Sequence, residues 1–426
     1  MRPLHFYLVG TATWFMGFGI QGVMFAWLVA MVLRESPEMV GIAQMTLLLP
    51  GTILILIGGS YADRFGGRRV AVIAQTVGAL APLFLLSVVG TDSLTYSMML
   101  CYAILMGCAQ AFVTPARDGL LNQVAEGRVQ RTVMLTSMMQ FGAAMVGFMI
   151  AATADVFGPE FILGLQSVVL LLGVYAFVQI GEPDRSNHPA SPPLLKSVLD
   201  GGRAVFASPA LRMVMVQNMA MGMFFMGTYI VTMPLLVREI YAGSAQDLAF
   251  MNAANSLGLV LTIFLLLRIG DIRRQGRALL LAQGIGAFVL AGAAFTSQFS
   301  QFVLIIFFWG VCGGAAMTMS RTIMQEQAPE TMRGRVMSFY SFSFMGAGPI
   351  GALLSGYLVE ELGPELALLT SAAGMLVVII LIGVTSGVWN LQGHTQQIVS
   401  EASEESIDAV GRTDLAASGR VSSDER

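Results

Sequence analysis

Charge is what this chain has least of. Only 12% of its 426 residues are Asp, Glu, Lys or Arg, where a soluble domain carries about a quarter. The net charge of -3 offers no basic surface of the kind that nucleic acid requires. Cysteine is also scarce. Cys101, Cys108 and Cys312 each sit in an apolar stretch, and none has the spacing of a zinc or haem motif. They read as small buried residues, and no disulfide framework is expected. There is no Walker loop, which excludes ATP hydrolysis by that route. No cluster of catalytic side chains is visible, so neither covalent chemistry nor a cofactor is expected. No cleavable leader is apparent, because the first apolar stretch follows Met1-Arg2-Pro3 without a small-residue cleavage site.

What the chain has is apolar length. It is 55% hydrophobic, with a mean hydropathy of +0.73. The intervals free of charge run 3–33, 39–62, 70–91, 93–116, 132–154, 161–181, 213–237, 248–267, 278–320, 336–359 and 366–400. A helix needs about 20 residues to cross the hydrocarbon core, and every interval is long enough. The 278–320 interval holds two helices, with the polar stretch Thr296-Ser-Gln-Phe-Ser-Gln301 as the turn between them. Twelve spans result. A charge at a helix centre costs roughly 2.5–3.5 kcal/mol on insertion scales, so such regularity is not accidental. A membrane barrel would instead show short alternating segments.

Basic residues set the expected orientation. Arg64, Arg68, Arg69, Arg117, Arg128, Arg131, Arg185, Lys196, Arg203, Arg212, Arg268, Arg273, Arg274, Arg277, Arg321, Arg333 and Arg335 fall on one side. Only Arg34 and Arg238 fall on the other. The first side is therefore read as cytoplasmic, with both termini there. The polar, Pro- and Ser-rich stretch in 182–208 reads as a cytoplasmic linker between bundles 1–181 and 209–388, and 389–426 as a disordered cytoplasmic tail.

The halves repeat at an offset of 204 residues. Arg34-Glu35 recurs as Arg238-Glu239, Cys108 as Cys312, Arg117 as Arg321, Glu126 as Glu330 and Arg131 as Arg335. With charge so rare, these matches imply a duplicated six-helix unit. An even helix number gives both copies one orientation, around an axis along the membrane normal.

The turn between the second and third spans reads GGSYADRFGGRR, Gly58 to Arg69. It resembles the signature loop of the major facilitator superfamily, with one extra glycine before the arginine pair. A degenerate copy, RIGDIRRQGR, runs from Arg268 to Arg277, and its Asp271 lies 208 residues after Asp63. Pro115-Ala-Arg117 and the segment Pro329 to Ser338 are similar to elements of the enterobactin-exporter and drug-efflux branch.

The resemblance implies an all-α membrane protein of twelve helices in two pseudo-symmetric six-helix bundles. It also implies a secondary transporter working by alternating access in the bacterial inner membrane. Gly59, Asp63, Arg64, Gly66, Arg68, Arg69, Asp271, Arg117, Arg321, Glu330, Arg333 and Arg335 are the expected gating residues. Asp63 is positioned to dock on the N–H groups and partial positive charge at the start of the eleventh helix. A solvated basic loop that only sets topology is the plainer alternative. For Arg117 and Arg321, pairing with Glu126, Asp118, Glu326 or Glu330 stands beside interfacial snorkelling.

The resemblance also places the first, fourth, seventh and tenth helices around the solute. Gln21, Gln110, Asn218, Phe225 and Trp309 lie on them, with Asn252 and Asn255 on the eighth. An amide in lipid seeks a hydrogen-bond partner, so each is either a ligand contact or a helix–helix tie. Neutral amides among Met and Phe suit a bulky lipophilic solute, and export by a monomer is expected. A siderophore or similar metabolite is the alternative solute, and a non-transporting receptor or scaffold on the same fold the alternative class. No ionisable group is found at mid-depth. Coupling to a proton gradient would then rest on Asp63 or Asp155.

Overall fold

The computed structural model describes residues 3–124, 129–181, 194–270, 272–329 and 333–391. Twelve helices among them are long and apolar enough to cross a membrane. We number them α1 (Pro3–Trp27, prolonged by a π-helical turn Leu28–Val32), α2 (Pro37–Phe65), α3 (Gly67–Val89), α4 (Tyr96–Val124), α5 (Val129–Ala151) and α6 (Pro159–Val178) in the first half. The second half holds α7 (Pro209–Glu239), α8 (Ala245–Ile269), α9 (Gln275–Ala293), α10 (Phe299–Gln327), α11 (Arg333–Leu362) and α12 (Pro364–Thr385). The polar turn expected near Thr296 separates α9 from α10.

Local chemistry explains where these helices begin. The Ser36 hydroxyl accepts from the Met39 N–H ahead of α2, and the Ser208 hydroxyl accepts from the Leu211 N–H ahead of α7. Proline follows each cap, where its missing N–H costs nothing. α6 and α12 both open on Gly-Pro-Glu, with Gly158 and Gly363 at φ 83° and 80°. At the signature loop, Gly66 takes φ 94°, a left-handed backbone that turns α2 directly into α3.

In the first half α1 packs on α5 and α6, α2 on α4, and α3 on α4 and α6. In the second, α7 packs on α11, α8 and α9 on α10, and α9 on α12. Buried amides mark the correspondence. Gln75 of α3 donates to the Thr13 hydroxyl of α1 at 3.4 Å and to the Leu170 carbonyl at 3.0 Å. In the second half Gln217 of α7 donates to Gln283 of α9. Thr13 and Gln217 stand 204 residues apart, and Gln75 and Gln283 stand 208 apart.

The structure corrects the repeat in one place. α4 and α10 are each 29 residues long and correspond at an offset of 203. A Cβ on Gly107 would lie 2.4 Å from the Leu47 carbonyl oxygen, and a Cβ on Gly310 would lie 2.2 Å from that of Asn255. The structural counterpart of Arg117 is therefore Ser320, not Arg321. One residue along a helix is a turn of about 100°. That turn takes Arg321 to the exposed face, while Arg117 is buried.

The segment joining the halves ends in a helix, Leu194–Ala207, whose Val205 is buried against Leu211 and Tyr340. After α12, a 3-10 turn Gly387–Asn390 lies beneath α9. There the Gly276 N–H donates to the Leu391 carbonyl, and the Arg277 guanidinium lies 5.3 Å from the Trp389 ring. Trp389 to Leu391 thus join the second half. Residues 182–193 and 392–426 lie outside the described residues.

Candidate functional site: the seam between halves and the two half-cores

The two termini of the described chain, Pro3 and Leu391, lie at the same end of the bundle, here the proximal end. At the opposite, distal end the halves are tied by polar contacts. Arg238 of α7 donates through Nη1 to the carbonyls of Ala30 at 2.9 Å and Glu35 at 2.8 Å, and through Nη2 to Glu239 at 2.7 Å. The Ala30 carbonyl lies in the last turn of α1, where helical oxygens lack partners, and that of Glu35 in the link to α2. Asp155 accepts from the Gln246 N–H in the first turn of α8 at 3.1 Å. A carboxylate there faces the positive end of the helix dipole. Nearby, the Tyr241 hydroxyl lies 2.6 Å from that of Thr296. Burial raises the Tyr241 pKa above its ordinary value, and the Glu365 carboxylate adds to this against the Thr296 hydrogen bond.

Backbone contact continues the seam. A Cβ on Gly356 of α11 would lie 2.7 Å from the Pro37 carbonyl oxygen and 2.9 Å from Gly41 Cα, both in α2. Only glycine admits this approach. Further in, the Thr52 hydroxyl donates to the Met345 carbonyl at 3.0 Å. Beside the seam, between α5, α8 and α10, runs an open apolar groove of about 450 Å³. It is lined by Met145, Phe250, Ala254, Leu257, Phe299 and Val303, among others.

The expected gating residues fall into three groups. Arg68 donates to the Val178 carbonyl, at the end of α6, at 2.6 Å. Arg64 lies over its neighbour Phe65, 5.5 Å from the ring centre, and Arg69 and Arg321 are exposed. Gly59 and Gly66 are half-buried. Arg117 is buried, its guanidinium 4.7 Å from the Phe15 ring centre and 3.3 Å from Asp118. Its carboxylate partner is the next residue in its own helix, and Glu326 accepts instead from Gln275. The side chains of Asp63, Arg333 and Arg335, and residues Glu126, Asp271 and Glu330 entirely, lie outside the described residues.

The expected cavity residues divide between the two halves. Gln21 is buried beside a small void bounded by Trp14, Phe18, Met106 and Leu170. Gln110 is half-buried on α4. In the second half, both amide hydrogens of Asn218 are spent, on the Tyr340 carbonyl at 3.1 Å and the Ser343 hydroxyl at 2.8 Å. Asn218 therefore acts as an α7–α11 tie. Asn252 donates to the Leu248 carbonyl at 2.7 Å and accepts from the Tyr229 hydroxyl at 2.6 Å. Trp309 meets Phe225 edge-on at 5.6 Å and Tyr229 at 5.9 Å, so these four residues form one aromatic and amide cluster. Asn255 is half-buried, and its carbonyl packs on Gly310.

Sequence reasoning missed four participants. Arg238 reads only as a repeat partner of Arg34. Tyr229 carries no signal beyond its proximity to α8. Tyr7 and Thr11 lie four residues apart on one face of α1, with Phe15 four further on. That spacing of hydroxyls in an apolar helix was the available sign.

Comparison with known proteins follows the same lines. The sequence pattern described as transmembrane secretion effector matches residues 3–408. The enterobactin exporters EntS of Shigella boydii serotype 4 (strain Sb227) and Escherichia coli O81 (strain ED1a) are each 26% identical over 345 residues, covering 77% of this chain and 78% of the relative. The nucleoside transporter NupG superposes with a TM-score of 0.70 at 14% identity, over 90% of this chain and 99% of that one. A bacterial homologue of the lysosomal transporter Spinster, in an inward-facing and unoccupied conformation, gives 0.68 at 12% identity, over 91% and 96%. With twelve spans, a duplicated six-helix unit and a match along nearly its whole length, the chain belongs to the transmembrane secretion effector family of the major facilitator superfamily of membrane transporters.

Proposed function

We propose that the chain exports an apolar or amphipathic small solute by alternating access, as a monomer in the bacterial inner membrane with both termini cytoplasmic. The observation that carries this reading is the open apolar groove beside the distal seam, where Met145 of one half faces Phe250, Leu257 and Phe299 of the other. A solute that partitions into lipid can leave or enter along such a groove without crossing a polar surface. The tie of Arg238 to Ala30 and Glu35, and that of Asp155 to Gln246, hold the distal end shut in this conformation. Polar ties of this kind are breakable, which alternating access requires.

At the proximal end, Asp63 and Asp271 act as clamps on the α11 and α5 N-termini, and the exchange of clamped ends moves the solute. A proton gradient drives the cycle, coupled through Asp63 or Asp155. A second reading, export of a siderophore-like metabolite, is favoured by the enterobactin exporters among the relatives.

Vesicle transport tests both. Purified protein in proteoliposomes is given a panel of neutral dyes and an iron-chelating metabolite under imposed pH gradients. Gradient-driven movement of a dye supports the first reading, and movement of the chelator alone supports the second. Absence of any flux, with or without a gradient, overturns both in favour of a receptor or scaffold.

A further inference from the structure

Arg117 is a buried cation with too few partners. It is 6% exposed, and its Nε and Nη1 have no hydrogen-bond partner among the described residues. Its one carboxylate contact, Asp118, is 3.3 Å away, and that side chain is 64% exposed. Charge-assisted bonds are typically about 2.7–2.9 Å, so this is weak compensation. Around it stand further buried hydroxyls. The Tyr7 and Thr11 hydroxyls are fully buried and, among the described residues, have no polar neighbour to bond beyond each other and Thr136. The hydroxyls of Thr11 and Thr136 lie within reach of the Tyr7 hydroxyl, on which the Arg117 and Asp118 charges also act. Thr136 itself donates to the Thr132 carbonyl at 2.8 Å. The constellation comes from α1, α4 and α5, and among the described residues the only carboxylate facing it is that of the exposed Asp118.

The second half shows that the fold does not need it. At the repeat offsets, the counterparts of Tyr7, Thr11, Phe15 and Arg117 are Leu211, Met215, Met219 and Ser320. Leu211, Met215 and Ser320 are buried, as their counterparts are, and carry no charge. The same helix packing thus stands without a buried charge, with Tyr340 beside Ser320 at the place of Thr136. A guanidinium in an apolar interior is costly and is kept where it meets an opposite charge.

We infer that Arg117, Tyr7 and Thr11 form a binding site for the compact oxyanion head, such as a carboxylate, of an amphipathic solute whose apolar body lies along the neighbouring aromatic surface of α1. The inference rests on the export reading above and narrows its solute to an anionic amphiphile. Guanidinium Nε–H and Nη1–H lie on different edges, and each is left to donate one charge-assisted bond to an oxyanion oxygen while Nη2 is held by Asp118. The hydroxyls supply the remaining donors.

The test uses the full chain in detergent micelles. Benzoate, its neutral analogue benzamide, and inorganic phosphate and chloride are each titrated while the melting midpoint is followed by intrinsic fluorescence. Benzoate is expected to raise the midpoint and benzamide to leave it in place. Arg117→Met is expected to melt no lower than the parent without probe and to ignore benzoate. Tyr7→Phe and Thr11→Val are each expected to weaken benzoate by about tenfold, the effect of one lost charged hydrogen bond. They decide the matter if Arg117→Met does not fold. Equal effects of benzoate and benzamide, or unaltered benzoate binding in Tyr7→Phe and Thr11→Val, overturn the site. An equal midpoint rise from phosphate or chloride overturns the solute head in favour of a free anion. Benzoate binding that persists when the parent moves no solute in vesicles supports the site and overturns only the export reading.

Discussion

The guanidinium of Arg238 reaches from α7 to the Ala30 carbonyl, 2.9 Å away at the end of α1 in the other half. The same nitrogen bonds the Glu35 carbonyl, and the side chain is only 20% exposed. Arg238→Ala is expected to free both carbonyls and cost about 1.5–3 kcal/mol, the range for hydrogen bonds to charged groups. The loss falls on the distal closure. A cysteine introduced at Ala30 should react faster with a membrane-impermeant maleimide in the Arg238→Ala background than in the parent. Equal labelling rates would remove Arg238 from the latch.

Gly356 tests the seam by volume. Its Cβ position is blocked by the backbone of Pro37 and Gly41, which cannot swing aside as a side chain would. Gly356→Leu is expected to hold the halves apart and abolish flux while membrane insertion and expression stay normal. Gly383→Leu in α12 is the control, because nothing lies within 4 Å of its Cβ position. The idea fails if the two variants transport alike.

Tyr229→Phe removes the donor to Asn252 Oδ1, now at 2.6 Å. A buried acceptor left unpaired costs about 1–3 kcal/mol. The melting midpoint should fall, and Trp309 emission should shift, because Tyr229 lies 5.9 Å from that ring. An unchanged spectrum would show that the cluster does not hold Trp309.

Asp63→Asn keeps the shape of the proposed clamp residue and removes its charge. A carboxylate at a helix N-terminus contributes about 0.3–2 kcal/mol. That is enough to alter a gate and too little to unfold the protein. Turnover is expected to fall several-fold with the melting midpoint nearly unchanged. Normal flux would leave Asp63 with a topological role alone.

The fold was legible because charge is so expensive in lipid. Gaps between Arg34, Glu38, Asp63, Arg68 and Asp92 mark where helices can lie, and the structure fills them. The same logic stops short at the proximal ends. α4 and α10 run on through Asp118 and Glu326, because a helix continues past the hydrocarbon edge where water or a partner accepts its charge.

The site was less legible. Asn218 and Asn252 belong to the residue type that sequence reasoning selects, yet each bonds within its own half. An amide's partner depends on which helix lies opposite, and periodicity alone does not supply that. The repeat likewise aligns Arg117 with Arg321 by identity, whereas packing sets glycine against glycine at one residue less.

That single-residue difference between α4 and α10 has an evolutionary consequence. After a gene duplication, a slip of one position in one copy leaves hydropathy and length untouched and changes only the phase of the helix. A charge inherited by both copies is thereby turned outward in one and inward in the other. Two halves that began as identical modules then acquire different chemistry, and an exchange of α4 for α10 between them would not preserve either.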